Sequence, residues 1–188
     1  MKNLKILWIS GLIFIVDQVT KYIIKTSMHL YDSHSVWGNF FRITYVENTG
    51  MAFGISVNNN FLLTLFATVA SVIILVYFFL IKGEHVFART SMAIIFGGAL
   101  GNIFDRITRG SVVDFLDFEF FDIAIPKFNF LFIHFPGYSM TRWPVFNVAD
   151  ISVSVGMVLL LIFIAFDKEQ QTLPLEHKIE PNIEKAGD

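Results

Sequence analysis

Four long apolar stretches, two connecting segments that alternate aromatic with polar residues, and a shortage of charge predict the fold class. It is an α-helical integral membrane protein: four transmembrane helices, a small β-sheet or hairpin element outside the bilayer, and a flap-like loop. Of 188 residues, 54% are hydrophobic and 16% charged, with 22 phenylalanines and a mean hydropathy of +0.60. Soluble domains carry about 25% charged residues, and a soluble chain of this size would need more polar surface than this one has. A water-soluble globule is excluded, and so is a disordered chain, which requires low hydrophobicity. The net charge of −2 offers no field that would recruit nucleic acid. The absence of cysteine removes disulfides, thiolate metal sites and a cysteine nucleophile together.

A helix needs about 17–25 apolar residues to cross a bilayer. Leu4 to Ile24 meets this, although Asp17, Gln18 and Lys21 interrupt its far end. Lys2 and Lys5 precede an apolar run as in a secretory signal, but Asp17-Gln-Val-Thr-Lys21 follows that run in place of a small-x-small cleavage site, so a retained anchor helix is expected. Phe61 to Ile81 contains no charge and is the clearest span. Val86 to Phe104 is the third, with Gly97, Gly98 and Gly101 inside it, and Val145 to Phe166 the fourth, opening on Asn147 and Asp150. Residues 82–89 are a short turn, whereas 25–60 and 105–144 are long. Phe41, Ile43 and Tyr45 lead into Glu47-Asn48-Thr49-Gly50, after which Met51, Phe53 and Ile55 alternate again, a pattern that predicts a hairpin or small sheet. The run from Phe115 to Phe135 is strand-like and broken by Pro126. Residues 1–167 thus read as one four-helix membrane domain, and the polar residues 168–188 as a disordered tail.

Four crossings put both termini on one side and both long loops on the other. The loop-side helix ends carry Asp17, Lys21, Asn102, Asp105, Arg106, Asn147 and Asp150, so the polar residues near the membrane converge at one interface. The positive-inside rule does not orient the protein, because seven Lys and Arg residues lie with the termini and seven with the long loops.

Carboxylates at a membrane site are functional candidates by default. Two aspartates held close in a low-dielectric cleft do not both ionise readily, so one acts as acid while the other draws a proton from water. Asp114 and Asp150 are the candidate pair; the bland alternative is that Asp114 begins a turn and Asp150 caps helix four. Asp17 and Lys21 stand at i,i+4 and suit a structural ion pair. Asn102 and Asp105 share a face at the end of helix three, as caps or as site residues. Gly97, Gly98 and Gly101 permit close helix packing. Asp117, Glu119 and Asp122 alternate with phenylalanines and read as the wet face of a strand. The five histidines are scattered, with no His-Glu-x-x-His, so no metal and no cofactor is expected.

In order, the polar clusters are Asp17-Gln-Val-Thr-Lys21, Asn48-Thr-Gly50-Met-Ala-Phe-Gly54, Gly97-Gly-Ala-Leu-Gly-Asn102-Ile-Phe-Asp105-Arg106, Val112-Val-Asp114-Phe and Phe146-Asn147-Val-Ala-Asp150. The series resembles the lipoprotein signal peptidases (type II signal peptidases) of bacteria, over roughly residues 4–166. The resemblance implies an aspartyl endopeptidase of the bacterial cytoplasmic (inner) membrane, with its active site and sheet at the extracytoplasmic face and both termini cytoplasmic. It implies Asp114 and Asp150 as the catalytic pair. The substrate it implies is a prolipoprotein carrying diacylglyceryl on its lipobox cysteine, cleaved just before that cysteine. Membrane lipid and a globomycin-type inhibitor are the other implied partners.

On this resemblance Asn48, Asn102 and Asn147 are expected to bond the substrate backbone or orient a carboxylate. Asp105 and Arg106 are expected to brace the site, Arg106 as a fixed positive charge. Asp17, Lys21 and Gly50 belong to the matched motifs as supporting or substrate-binding residues. The segment from Phe115 to Trp143 is longer than in compact members of the family and suggests a flap over the pair. The rival from another class is a small multi-pass transporter or channel component, which would also place charges inside helices as an ion relay.

Overall fold

The computed structural model describes residues 2–49, 51–52, 55–56, 60–81, 85–120, 122–130, 133–135 and 137–179; Gly50 and Phe53, which figured in the reading above, lie outside them. A short 3₁₀ turn (Lys2–Leu7) leads into α1 (Trp8–Ser27), followed by β1 (Ser33–Trp37), β2 (Phe41–Asn48), β3 (Met51–Ala52) and β4 (Ile55–Ser56). Then come α2 (Asn60–Leu80), α3 (Val86–Arg109), β5 (Val112–Phe118), β6 (Ile123–Ile125), β7 (Phe128–Phe130), β8 (Ile133–Phe135), β9 (Tyr138–Met140) and α4 (Val148–Ile179).

Four of these helices are long and apolar enough to span a membrane: Leu4–Ser27, Phe61–Leu80, Val86–Arg109 and Val148–Phe166. The third has the lowest mean hydropathy, 1.3, and it is the hub: 56% of its span is buried, against 11–17% for the others, and α1, α2 and α4 all pack on it. A helix enclosed by protein needs small residues for close approach more than it needs lipid-facing bulk. A side-chain carbon on Gly97 would fall 2.8 Å from the Ser10 backbone of α1, and one on Gly98 2.5 Å from the Ala149 carbonyl of α4. Outward-facing residues such as Ile15, Phe66, Ile73 and Leu161 stay exposed, as lipid contact requires. At the end remote from the long loops, Phe78, Ala88, Met92 and Ala93 form a small core with Ile74 and Phe163 packed against it.

The helix-packing role of Gly98 carries a prediction. Overpacking costs about 1–3 kcal/mol, so Gly98→Ala is expected to lower the melting temperature in detergent. Gly11→Ala, where a new methyl meets nothing within 4 Å, serves as the control and should leave it unchanged or raised.

The hairpin or small sheet expected around Glu47–Gly50 is a small sheet, with β2 at its centre. β2 pairs antiparallel with β1 on one side and with β5 on the other, while Met51–Ala52 pairs only with Ile55–Ser56. Local alternation identifies a strand but not its partner, and here the partner arrives after α3. Gly110, at φ +77°, caps α3 in the left-handed conformation and turns the chain directly into β5. In the β2–β5 register Val46 faces Asp114 and Asn48 faces Val112.

The 115–143 segment is strand-rich as expected. β6 pairs with β9 and β7 with β8, so it forms one ribbon interrupted at Pro126 on one side and Gly137 on the other. Its neck is tied down. Arg142 bonds the Asp117 carboxylate (2.7 Å), Glu119 (2.6 Å) and the Asn39 carbonyl (2.9 Å), and the Trp143 N–H donates to the Phe118 carbonyl (2.9 Å). This overturns the reading of Asp117 as a wet residue. It is buried, because Thr44 from β2 (2.6 Å) and Arg142 satisfy it, whereas Glu119 and Asp122 are exposed. Helix α4 runs through Ile179, so the polar tail begins as helix; Lys168-Glu-Gln-Gln are good helix formers.

Candidate active site

Asp150 sits in the first turn of α4, and the sequence there makes a reciprocal cap. Asn147 Oδ1 accepts the Asp150 N–H (3.0 Å), while Asp150 Oδ2 accepts the Asn147 N–H (3.1 Å). This is the capping-box arrangement with Asn and Asp in the two roles, and it meets the positive end of the helix dipole. The other carboxylate oxygen, Oδ1, accepts from Asn102 Nδ2 of α3 at 2.8 Å. Capping and a site role were alternatives in the sequence; a carboxylate has two oxygens and serves both.

Asp114 reaches the same place from the middle of β5. Its Oδ1 accepts from Asn147 Nδ2 (2.6 Å) and its Oδ2 from Asn48 Nδ2 of β2 (3.1 Å). Asn147, wholly buried, therefore bonds both aspartates. The Asp114 carboxyl is pushed up to about 7, first by burial and second by the charge of Asp150, against the opposing pull of Asn48, Asn147 and Lys21.

Beneath the pair lies a buried ionic cluster. Lys21 Nζ is 2.9 Å from Asp17 Oδ2, 2.8 Å from Asp105 Oδ2 and 2.9 Å from Asn102 Oδ1, with both of its acidic partners fully buried. Asp17 Oδ1 accepts the Ala149 N–H of α4 (2.9 Å), and Arg109 pairs with Asp105. Two cations and two anions therefore balance, the condition under which buried charges are tolerated. A side-chain carbon at Gly101 would collide with the Asp17 carboxylate. The Arg106 guanidinium makes no hydrogen bond or ion pair with the described residues, yet the charges of Asp150, Asp114 and Asp105 act on it.

Of the residues singled out from sequence, Asn48, Asn102, Asn147, Asp114 and Asp150 converge, with Arg106 in their field, and Asp17, Lys21 and Asp105 lie one layer below. Two members were missed. Gln18 Nε2 donates to Asp17 Oδ2 (3.1 Å), to the Gly101 carbonyl (3.3 Å) and to Asp105 Oδ1 (3.3 Å). Arg109 stands at i,i+4 from Asp105, a spacing that could have flagged it. Glu47 also gains a place: Tyr45, Lys25 and Ser111 all donate to it, and the Tyr45 hydroxyl leads in holding its carboxyl below the usual range.

Fold and site together define a polytopic membrane protein with a carboxylate pair, Asp114 buried and Asp150 half-buried, at one end of its helix bundle. A family model described as signal peptidase (SPase) II matches residues 9–166. A lipoprotein signal peptidase of Borreliella afzelii (strain PKo) is 38% identical over 169 residues, 87% of this chain and 91% of the relative. One of Staphylococcus aureus is 37% identical over 160 residues, covering 85% and 86%. A bacterial membrane enzyme solved in meso at 2.3 Å superposes with a TM-score of 0.71 at 30% identity, over 88% of this chain and 90% of the other. A second, at 1.9 Å, gives 0.67 at 31%, over 85% and 92%. The chain belongs to the signal peptidase II family and is a multi-pass membrane peptidase. These likenesses support the peptidase reading over a transporter or channel component.

Proposed function

We propose that the protein is an aspartic endopeptidase that removes the signal peptide from diacylglyceryl-modified prolipoproteins, cutting just before the lipidated cysteine. The observation that carries this is the shared asparagine: Asn147 bonds Asp114 and Asp150 at once, which ties two carboxylates distant in sequence into one hydrogen-bonded unit. Burial keeps a proton on Asp114 up to a pH of about 7. Asp150 withdraws a proton from a water molecule as the oxygen attacks the scissile carbonyl carbon. Asp114 donates its hydrogen to the carbonyl oxygen, and Arg106 supplies positive charge beside it as the tetrahedral centre forms. The C–N bond then breaks, the departing amine takes up a proton from the pair, and the signal peptide leaves with a new carboxylate.

A substrate anchored by acyl chains stays at the lipid surface, which is where a dyad at the loop end of the bundle meets it. This orientation places both termini in the cytoplasm, the site at the extracytoplasmic face of the bacterial inner membrane, and strands β6 to β9 as a flap against the lipid. A globomycin-type cyclic peptide is expected to occupy the same cleft.

The test is digestion of a diacylglyceryl prolipoprotein by detergent-purified protein in ¹⁸O water. One label should enter the signal-peptide carboxylate, with no acyl-enzyme trapped by hydroxylamine and no loss of rate with chelator. Trapped acyl-enzyme, or cleavage of the unlipidated precursor at an equal rate, contradicts the reading. Because the reaction needs Asp114 protonated, kcat/KM is expected to fall as pH rises through about 7.

A further inference from the structure

Lys21 lies at the floor of the site, with its side chain wholly buried. Its ammonium group forms ion pairs with Asp17 Oδ2 (2.9 Å) and Asp105 Oδ2 (2.8 Å) and donates a third contact, a hydrogen bond, to Asn102 Oδ1 (2.9 Å). The third contact does more than satisfy a charge. An ammonium group only donates, so the Asn102 atom 2.9 Å away must be the amide oxygen. Asn147 Nδ2 donates to the same oxygen at 3.2 Å. The Asn102 amide nitrogen is thereby turned the other way, toward Asp150 Oδ1 at 2.8 Å. A flipped amide would present its oxygen to the Asp150 carboxylate, acceptor against acceptor.

We infer that Lys21 is a positioning residue for catalysis. From α1 it sets the polarity of the Asn102 amide, and through that amide it orients Asp150. The inference rests on the aspartyl reading above and extends it by one layer. The surrounding charges are compatible with this division of labour. Asp17 on α1, with Asp105 and Arg109 on α3, neutralise Lys21 and hold it in place. Arg106 on α3, Asp114 on β5 and Asp150 on α4 face the site itself, and Glu47 on β2 is occupied with Lys25 and Tyr45. A second amide is fixed by the same logic. The Asp150 N–H donates only, so Asn147 Oδ1 faces it and Asn147 Nδ2 faces Asp114. One donor from α1 and one from the start of α4 therefore set the direction of every hydrogen bond between the two amides and the dyad.

A double-mutant cycle on Lys21→Met and Asn102→Ala tests this, with kcat and KM measured on the lipidated prolipoprotein and folding followed by thermal melting. Lys21→Met is expected to lower kcat about 100-fold, the loss that a misplacement of about 1 Å produces, with KM nearly unchanged. The double variant should be no slower than Asn102→Ala alone, because both act through one hydrogen bond. Penalties that multiply, a loss confined to KM, or a lower melting temperature with undiminished kcat would each overturn the inference. Should Lys21→Met fail to fold, Lys21→Met/Asp105→Asn removes a stranded buried charge along with the lysine. Asn102→Asp, which leaves Lys21 untouched and an oxygen facing it, must also lose kcat if the donor to Asp150 matters; wild-type kcat there overturns the inference outright. Asp150→Asn separates the two claims. If it is active, the aspartyl reading fails; if it is inert while the cycle is additive, only the role of Lys21 fails.

Discussion

Asp114→Asn and Asp150→Asn should each reduce cleavage of lipidated prolipoprotein by at least about 1,000-fold, the scale on which loss of an essential acid or base is felt. Their effects on the fold should differ. Asp114 is buried with a carboxyl titrating near 7 instead of 3.8. A carboxyl raised in this way contributes stability that is fully present below its unfolded value and lost as pH rises through its folded value. Above pH 7 the native protein therefore carries a buried charge that Asp114→Asn removes. The new amide keeps its oxygen toward Asn147, whose orientation is fixed, and turns its nitrogen toward Asn48, which must rotate. Melting at pH 8 should be unchanged or raised. Asp150→Asn has no such freedom. Both oxygens of Asp150 accept from donors that cannot turn away, the Asn147 backbone N–H and the Asn102 amide held by Lys21. An NH₂ group in either place meets another donor, and a half-buried hydrogen bond lost in this way costs about 1 kcal/mol. Two equally inactive variants that shift the melting temperature in different directions would support this account. Equal melting curves at pH 8 would contradict it.

That asymmetry was invisible in the sequence, whereas the helices were plain. Hydropathy marks a span because the bilayer leaves backbone polar groups no partner but the helix itself, and all four stretches became helices, the fourth running on past its expected end to Ile179. The centrality of α3 was legible only indirectly, in its three glycines and its lower hydropathy. Convergence of the polar clusters followed from parity, and the family resemblance put names to the pair. What stayed out of reach were pairings across long separations. β2 alternated as a strand should, yet its partner β5 lies some seventy residues further on, and nothing local distinguishes that from a hairpin. Asp117 was misread for the same reason: period-2 alternation gives a face, but whether that face is wet depends on Thr44 and Arg142 arriving from elsewhere. The pair's hydrogen-bond directions lie deeper still, since they depend on which atom of an amide faces a lysine.

Asn147 is the residue where stability and catalysis meet, and its substitutions should pull them apart. Asn147→Ala removes the helix cap, worth about 1 kcal/mol, and the donor to Asp114, so both melting temperature and activity should fall. Asn147→Ser restores a good cap, because a serine oxygen accepts the same first-turn N–H. It leaves Asp114 without its 2.6 Å donor. The expected result is a melting temperature recovered most of the way to wild type with kcat still reduced about 100-fold, as for a displaced catalytic group. Without that donor the proton stays on Asp114 to higher pH, because a hydrogen bond to a carboxylate favours its charged form and its loss favours the acid. The alkaline fall in kcat/KM should therefore move upward in the serine variant. A serine variant that regains activity along with stability would make Asn147 a cap alone, and the two aspartates would no longer need it as their common partner.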